Sequence, residues 1–208
     1  HSIFDLHYKN LDTSKKVIKN INLRLIGQHN ILNASAAIAV CVNLGVKIKI
    51  IKKALKNFSG VQRRMTKIFT KNKNEFFDDY AHHPTEISSI LDGVEKVYKQ
   101  SRKIITVFEP HRYSRIKSLK LSFSKSFIKS DLVLICPIYA AGEKKISNFK
   151  LLDFAKLISK NSNTQVILVK NQKELSNYFK KNLIKDEIII GMGAGSISQW
   201  MRELKFSL

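Results

Sequence analysis

Apolar and polar positions alternate along this chain in two periods, and the switches between them mark out its elements. Residues 3–9 (Ile3, Phe4, Leu6, Tyr8) and 20–26 (Ile21, Leu23, Leu25) read as half-buried strands forming an antiparallel edge, with a turn from Asn10 to Ser14. Gly27 opens an Ala-rich helix that runs to about Leu44 and stops at Gly45, a suitable C′ glycine. A shorter helix over 48–57 carries Ile48, Ile51, Ala54, Leu55 and Phe58 as its stripe, and Ser59-Gly60 breaks it. The domain boundary is expected there, dividing the chain into 1–58 and 59–208. A hairpin follows, strands 65–69 and 75–79 around the polar turn 71–74. Helices 85–99, 117–129, 150–159, 172–182 and 196–205 then alternate with strands 103–108, 132–136, 165–169 and 187–190. The first of these helices has Ile87, Ile90, Leu91, Val94 and Val97 at helical spacing. The last has Trp200, Met201 and Leu204 on its core face. The strands are continuously apolar, as in Val133-Leu134-Ile135 and Ile188-Ile189-Ile190. Uninterrupted apolar strands between helices predict an α/β fold, a Rossmann-like, mostly parallel sheet with helices on both faces.

Composition narrows the functional classes. Of the 208 residues 44% are hydrophobic, enough for a core, yet no apolar run reaches the length of a membrane span. Cys41 and Cys136 both lie in apolar stretches without metal-ligand spacing and read as buried free thiols in a reducing compartment. The formal charge of +21 comes from lysines dispersed along helices and turns, such as Lys47, Lys49, Lys52, Lys53 and Lys56. No basic stripe with interleaved aromatics exists, which argues against a nucleic-acid site. The surplus reads as solvated surface that also attracts anionic nucleotides. The chain opens at His1 directly into strand-like sequence and reads as a piece of a longer protein.

The chemistry concentrates at the ends of strands. Phe76-Phe77 leads into Asp78-Asp79-Tyr80-Ala81-His82-His83, and Pro84 starts a helix, where its missing N–H costs nothing. About thirty residues on, strand 104–108 runs into Glu109-Pro110-His111-Arg112-Tyr113-Ser114-Arg115. Two arginines three apart at the end of a strand suit a carboxylate or phosphate, because guanidinium presents a planar fork of donors. The alternative is that they pair with Asp79, Glu86 or Glu109 as a structural network. The two loops are expected side by side if their strands are neighbours, at the carboxyl edge where α/β sheets bind ligands. His83 reads as loop packing, and His82 next to it is not a metal pair, since adjacent residues diverge. Asn30 and Asn33 share a helix face, suited either to capping, for Asn30, or to an adenine edge. Arg63 and Arg64 read as a solvated pair at a linker. Glu143 either orients the arginine loop or is a solvated acid. Gly191–Gly195 is read as a close-packed turn before a phosphate-binding one, and no Walker-type phosphate loop is present.

Six stretches together carry a family resemblance: GQHNILNASAAIAV at 27–40, GVQRRM at 60–65, DDYAHHPTEI at 78–87, FEPHRYSR at 108–115, IYAAGE at 138–143 and GMGAGSIS at 191–198. They resemble the Mur ligases, nearly from end to end. The resemblance implies that residues 1–58 are the C-terminal part of the family's central ATP-binding domain and that 59–208 are its C-terminal domain. It implies a bacterial, cytoplasmic, ATP-dependent ligase of peptidoglycan synthesis that joins an amino acid to a sugar acid through an acyl phosphate. The PHRYSR loop favours members that add L-alanine to UDP-N-acetylmuramate over those that attach a tripeptide; a non-catalytic nucleotide-binding module is the reading outside the enzymes. Tyr80, His82, Arg112 and Arg115 would surround L-alanine. His29, Asn30 and Asn33 would face the adenine of ATP and Asp79 its ribose; one of Arg63 and Arg64, with Arg64 preferred, would reach the nucleotide from across a domain cleft. The phosphate loop and Mg2+ ligands would lie upstream of His1, so the 208-residue chain alone is expected to be inactive.

Overall fold

Strand periodicity carries through to the architecture, but strand order does not follow from it. The computed structural model describes residues 1–9, 14–98, 101–145 and 149–208, with the side chain of His29 left out. Residues 10–13 of the expected turn Asn10–Ser14 and the last residue of helix 85–99 fall outside them. The chain divides into two compact units, His1–Val61 and Gln62–Leu208.

In the first unit, β1 (Ser2–Lys9) pairs antiparallel with β2 (Lys15–Leu23). β2 begins five residues earlier than expected and ends before Leu25. The pairing slips between Phe4 and Leu6, where Asn20 takes a positive φ and donates its N–H to the Asp5 carboxylate at 2.7 Å. This bulge is why Ile18, Ile21 and Leu23 can all point inward despite breaking strict alternation. They pack with Ile38 of α1 (Gln28–Asn43) and Ile51 of α2 (Ile48–Asn57). The rest of the α2 stripe is only partly used: Leu55 is half-buried, while Ile48 and Phe58 are exposed. α1 ends as expected, with Gly45 at φ 77 donating to Val42 O and Val46 N reaching back to Cys41 O. Cys41 is half-buried rather than buried.

The second unit holds β3 (Thr66–Lys71), β4 (Asn74–Asp79), α3 (Pro84–Tyr98), β5 (Ile104–Phe108), α4 (Tyr113–Ser118), α5 (Lys120–Ser124), β6 (Leu132–Ile135), α6 (Leu151–Ser162), β7 (Gln165–Leu168), α7 (Gln172–Asn182), β8 (Ile188–Met192) and α8 (Ile197–Ser207). Sheet order is β3-β4-β8-β5-β6-β7, parallel except for β3 at the edge. Successive strand residues serve opposite faces. Phe77, Ile104, Phe108, Val133, Ile135, Ile188 and Ile190 pack against α3, α5 and α6. Phe76, Ile105, Val107, Leu132, Leu134 and Ile189 pack against α7 and α8. Each fully buried apolar side chain contributes roughly 1.5–3 kcal/mol, and the two half-cores together hold the layers.

Two expectations are corrected here. Helix 117–129 is instead two short helices, α4 and α5, followed by turns. Its serines compete for the backbone: Ser118 donates to Arg115 O, Ser124 to Leu121 O and Ser126 to Ser122 O. Val97 leaves the α3 stripe and is exposed, whereas Ile87, Ile90, Leu91 and Val94 are buried.

Candidate functional site

The carboxyl ends of β4, β8 and β5 fall in one row, Asp79 opposite Met192 and Met192 opposite Phe108. β4 and β5 are therefore not neighbours, as the sequence left open; β8 separates them. Two strand spacings are about 10 Å, yet the loops after β4 and β5 still meet, with the His82 and His111 rings 5.6 Å apart. The turn after β8 carries glycine where the loops crowd it most. A Cβ on Gly193 would stand 3.0 Å from Glu109, and one on Gly195 would run into Tyr139 and Glu109. Gly191–Gly195 is thus the close-packed turn, with Gly191 against Met201.

The first loop is pinned from beneath. Asp79 is fully buried; Oδ1 accepts the Ala81 N–H and Oδ2 the Met65 N–H, each at 2.8 Å. Both carboxylate oxygens of Asp79 are thus engaged by the backbone of its own unit. Glu86 accepts the N–H groups of His82 and His83, closing the N-terminus of α3. His82 Nδ1 lies 2.9 Å from Tyr80 O, so it carries the proton there, and the His82 ring sits edge-on to Tyr80, 5.1 Å between centroids.

The second loop is held from the side. Arg112 N–H donates to Tyr139 O and Tyr139 N–H to Pro110 O, extending the β5–β6 pairing into the loops. Arg112 sits at φ 66, a costly region for a residue with a Cβ, with its side chain exposed. Glu143 accepts the N–H and hydroxyl of Ser114, bonds that hold its carboxyl below the usual range. Of the two readings of Glu143, the structure supports the one that orients the arginine loop. Arg115 is half-buried and lies 3.1 Å from His111 Nδ1. Guanidinium can only donate, so His111 Nδ1 is the acceptor and its proton is on Nε2. Burial, then the positive Arg115 and its neighbours His82 and Arg112, push the His111 pKa down. Neutral His111, stacked on Tyr139 at 5.5 Å, was not singled out from the sequence; only its position beside Arg112 in the motif signalled it.

Tyr80, His82, Arg112 and Arg115 thus belong to one edge, with two guanidinium groups near the His111 imidazole, donors whose chemistry suits an anion. Arg64 is exposed, whereas Arg63 turns inward. In the first unit, Asn33 is exposed in α1. Asn30 does not cap that helix, whose N-cap is Gly27; its amide donates to Ile26 O at 2.7 Å. His29 has only its backbone described, at the start of α1. Among the described residues no three His, Cys, Asp or Glu side chains are grouped to hold a metal ion, and no helix is long and apolar enough to cross a membrane.

Burial pushes the Asp79 carboxyl up to about 6, against two backbone donors and Arg64, which work to lower it. An unfolded Asp titrates near about 3.9. The stabilisation from this shift is fully present below about pH 4 and lost as pH rises through about 6, roughly 3 kcal/mol in all. Urea unfolding of wild type and Asp79→Asn from about pH 4 to about pH 7 is expected to show wild type losing about 2 kcal/mol of it relative to the variant; parallel pH profiles would contradict it.

Residues 63–195 match the family described as Mur ligase, glutamate ligase domain. The chain is 50% identical over 204 residues to the UDP-N-acetylmuramate--L-alanine ligase of Pelagibacter ubique, covering 98% of this chain and 44% of that protein. To the protein of the same name from Rickettsia canadensis it is 40% identical over 190 residues, 90% of this chain and 40% of the other. Among solved structures, UDP-N-acetylmuramate-alanine ligase from Thermotoga maritima aligns with a TM-score of 0.72 at 27% identity, over 92% of this chain and 42% of that one. A murein peptide ligase from Psychrobacter arcticus shares the fold, with a TM-score of 0.71 at 23% identity over 99% of this chain and 42% of that one. The chain therefore spans less than half the length of these relatives, and it belongs to the Mur ligase family.

Proposed function

We propose that this chain is the C-terminal part of an ATP-dependent ligase that joins L-alanine to UDP-N-acetylmuramate in the bacterial cytoplasm. The carrying observation is the meeting of the loops after β4 and β5, which gathers Arg112, Arg115 and neutral His111 beside Tyr80 and His82. The names of its sequence relatives support the choice of substrates.

In the proposed reaction the γ-phosphoryl group of ATP passes to the lactyl carboxylate of the sugar acid, giving an acyl phosphate and ADP. The amine of L-alanine attacks the acyl carbon, and the tetrahedral intermediate expels phosphate as the amide forms and the amine loses its proton. The second unit holds the amino acid: Arg112 and Arg115 take its carboxylate, and Tyr80 and His82 close around it, so that attack becomes effectively intramolecular. Asp79 positions this loop from below. Arg64 is left free to approach the nucleotide. In residues 1–58, proposed as the end of the central ATP-binding domain, Asn30 keeps its side-chain oxygen, and Asn33 its whole amide, for the adenine edge, with His29 beside them. The described residues offer Mg2+ no ligand set, and none of these roles uses it; the metal and the phosphate loop are assigned to residues outside this sequence.

The test is phosphate release from ATP by the protein expressed from its full reading frame, with Mg2+ and UDP-N-acetylmuramate. Release that requires L-alanine is expected. Release with a tripeptide alone would move the assignment to a peptide-attaching ligase, and release with neither would remove it.

A further inference from the structure

Arg63 was paired with Arg64 as a candidate nucleotide contact, but its surroundings assign it elsewhere. Its φ of 61 lies in the left-handed region, uncommon for an arginine. That turn aims its carbonyl at Tyr80, whose N–H it accepts at 2.7 Å. The side chain of the same residue folds inward and places its guanidinium carbon 4.7 Å from the centre of the Tyr80 ring. Nη2 donates to Gly193 O of the glycine turn. Nε faces the fully buried Asp78, 3.7 Å from Oδ1, and neither of those two atoms has a hydrogen-bond partner among the described residues. The other Asp78 oxygen is occupied by Ser198 and Arg202. Arg63 therefore grips Tyr80 by backbone and ring at once. Tyr80 in turn begins a row of rings, with His82 at 5.1 Å, then His111 at 5.6 Å, then Tyr139 at 5.5 Å. That row backs onto Gly195, and Arg115 is bonded to its third member.

We infer that Arg63 is a positioning residue of the amino-acid site, acting through Tyr80. Its backbone and guanidinium fix the first ring of a row whose far members set the arginine loop, and the Nη2 bond to Gly193 closes the circuit through the glycine turn. Arg64, one residue on, is exposed and faces outward, so the two arginines divide their tasks. The inference rests on the reading that these loops bind L-alanine.

The experiment uses the full-length protein in the phosphate-release assay. Cation–π contacts of this kind are worth about three- to thirtyfold in an equilibrium. Arg63→Ala is expected to raise the KM for L-alanine by that factor and to leave the KM for ATP within about twofold. Arg63→Lys keeps a cation for Asp78 and for the ring. It should fold even where Arg63→Ala does not, with a smaller rise of the same kind. The rise should vanish when Arg63→Lys is placed in a Tyr80→Leu background, because two residues acting as one unit are not additive. An equal rise in both backgrounds, an unchanged KM for L-alanine, or a parallel rise in the KM for ATP would each overturn the inference while leaving the ligase reading intact. Wild type that turns over without L-alanine would overturn the reading, and the inference with it.

Discussion

Arg115→Ala is expected to raise the KM for L-alanine of the full-length protein by about a hundredfold or more. A buried, hydrogen-bonded charge pair is worth about 2–5 kcal/mol when one partner is truncated, and Arg115 is the better placed of the two arginines. It is half-buried and braced by His111, so its fork is oriented before the ligand arrives. Arg112 is exposed, and its loss should weaken binding less. Arg115→Lys should recover little, because an ammonium cannot reproduce the planar fork. A second reading needs no ligand. The charge of Arg115 is one of the causes that hold the His111 pKa down. The variant should therefore titrate His111 at a higher pH, visible in its imidazole resonances. An unchanged KM in a folded variant would remove Arg115 from the site, and an unmoved His111 titration would contradict the geometry itself.

Gly195→Ala is expected to damage both stability and activity. Its Cβ would stand 2.4 Å from Tyr139 Cγ and 2.5 Å from Glu109 Oε2, so something must shift. Glu109 is held by Ser196 through both N–H and hydroxyl and is nearly fully buried, which leaves little room to yield. Overpacking of this kind costs about 1–3 kcal/mol. Displacing Tyr139 also moves the partner of the Arg112 N–H and the ring stacked on His111, so turnover should fall by more than the lost stability explains. Gly45→Ala is the comparison: nothing crowds its Cβ, and only the positive φ is strained, so it should cost about 1 kcal/mol and leave the second unit alone. Urea midpoints and KM for L-alanine, measured for both variants, separate the two effects. Equal behaviour of the two would show that the glycine turn is not what spaces the loops.

Much of this was legible because each element repeats its own instruction. Apolar strands between helices specified the layers, and the acids, histidines and arginines at strand ends pointed to the carboxyl edge. Strand order was not legible. Nothing local in Ile188–Met192 says that it inserts between β4 and β5; that follows from pairings far apart in sequence. Helix 117–129 failed for a local reason, since serine hydroxyls that bond the backbone are invisible to apolar spacing. The bulge at Asn20 hid the true start of β2 in the same way. That Asp79 accepts two backbone N–H groups was not legible, because a carboxylate beside a ligand loop reads alike whether it faces the ligand or the backbone. His111 and Tyr139 were missed as a stacked pair because their contact depends on the bridge between two loops about thirty residues apart. Arg63 and Arg64 are chemically identical, and only the left-handed turn at Arg63 separates them.

The central position of β8 also governs how the second unit can be made. β4 and β5 leave the ribosome early, and each has an open side facing a gap only residues 188–192 can fill. Until those residues emerge, the half-finished sheet exposes two parallel edges and the apolar faces of Phe76, Phe77, Ile105 and Val107. The sheet of this unit therefore cannot close until Ile188–Met192 is available, however early β4 and β5 are made.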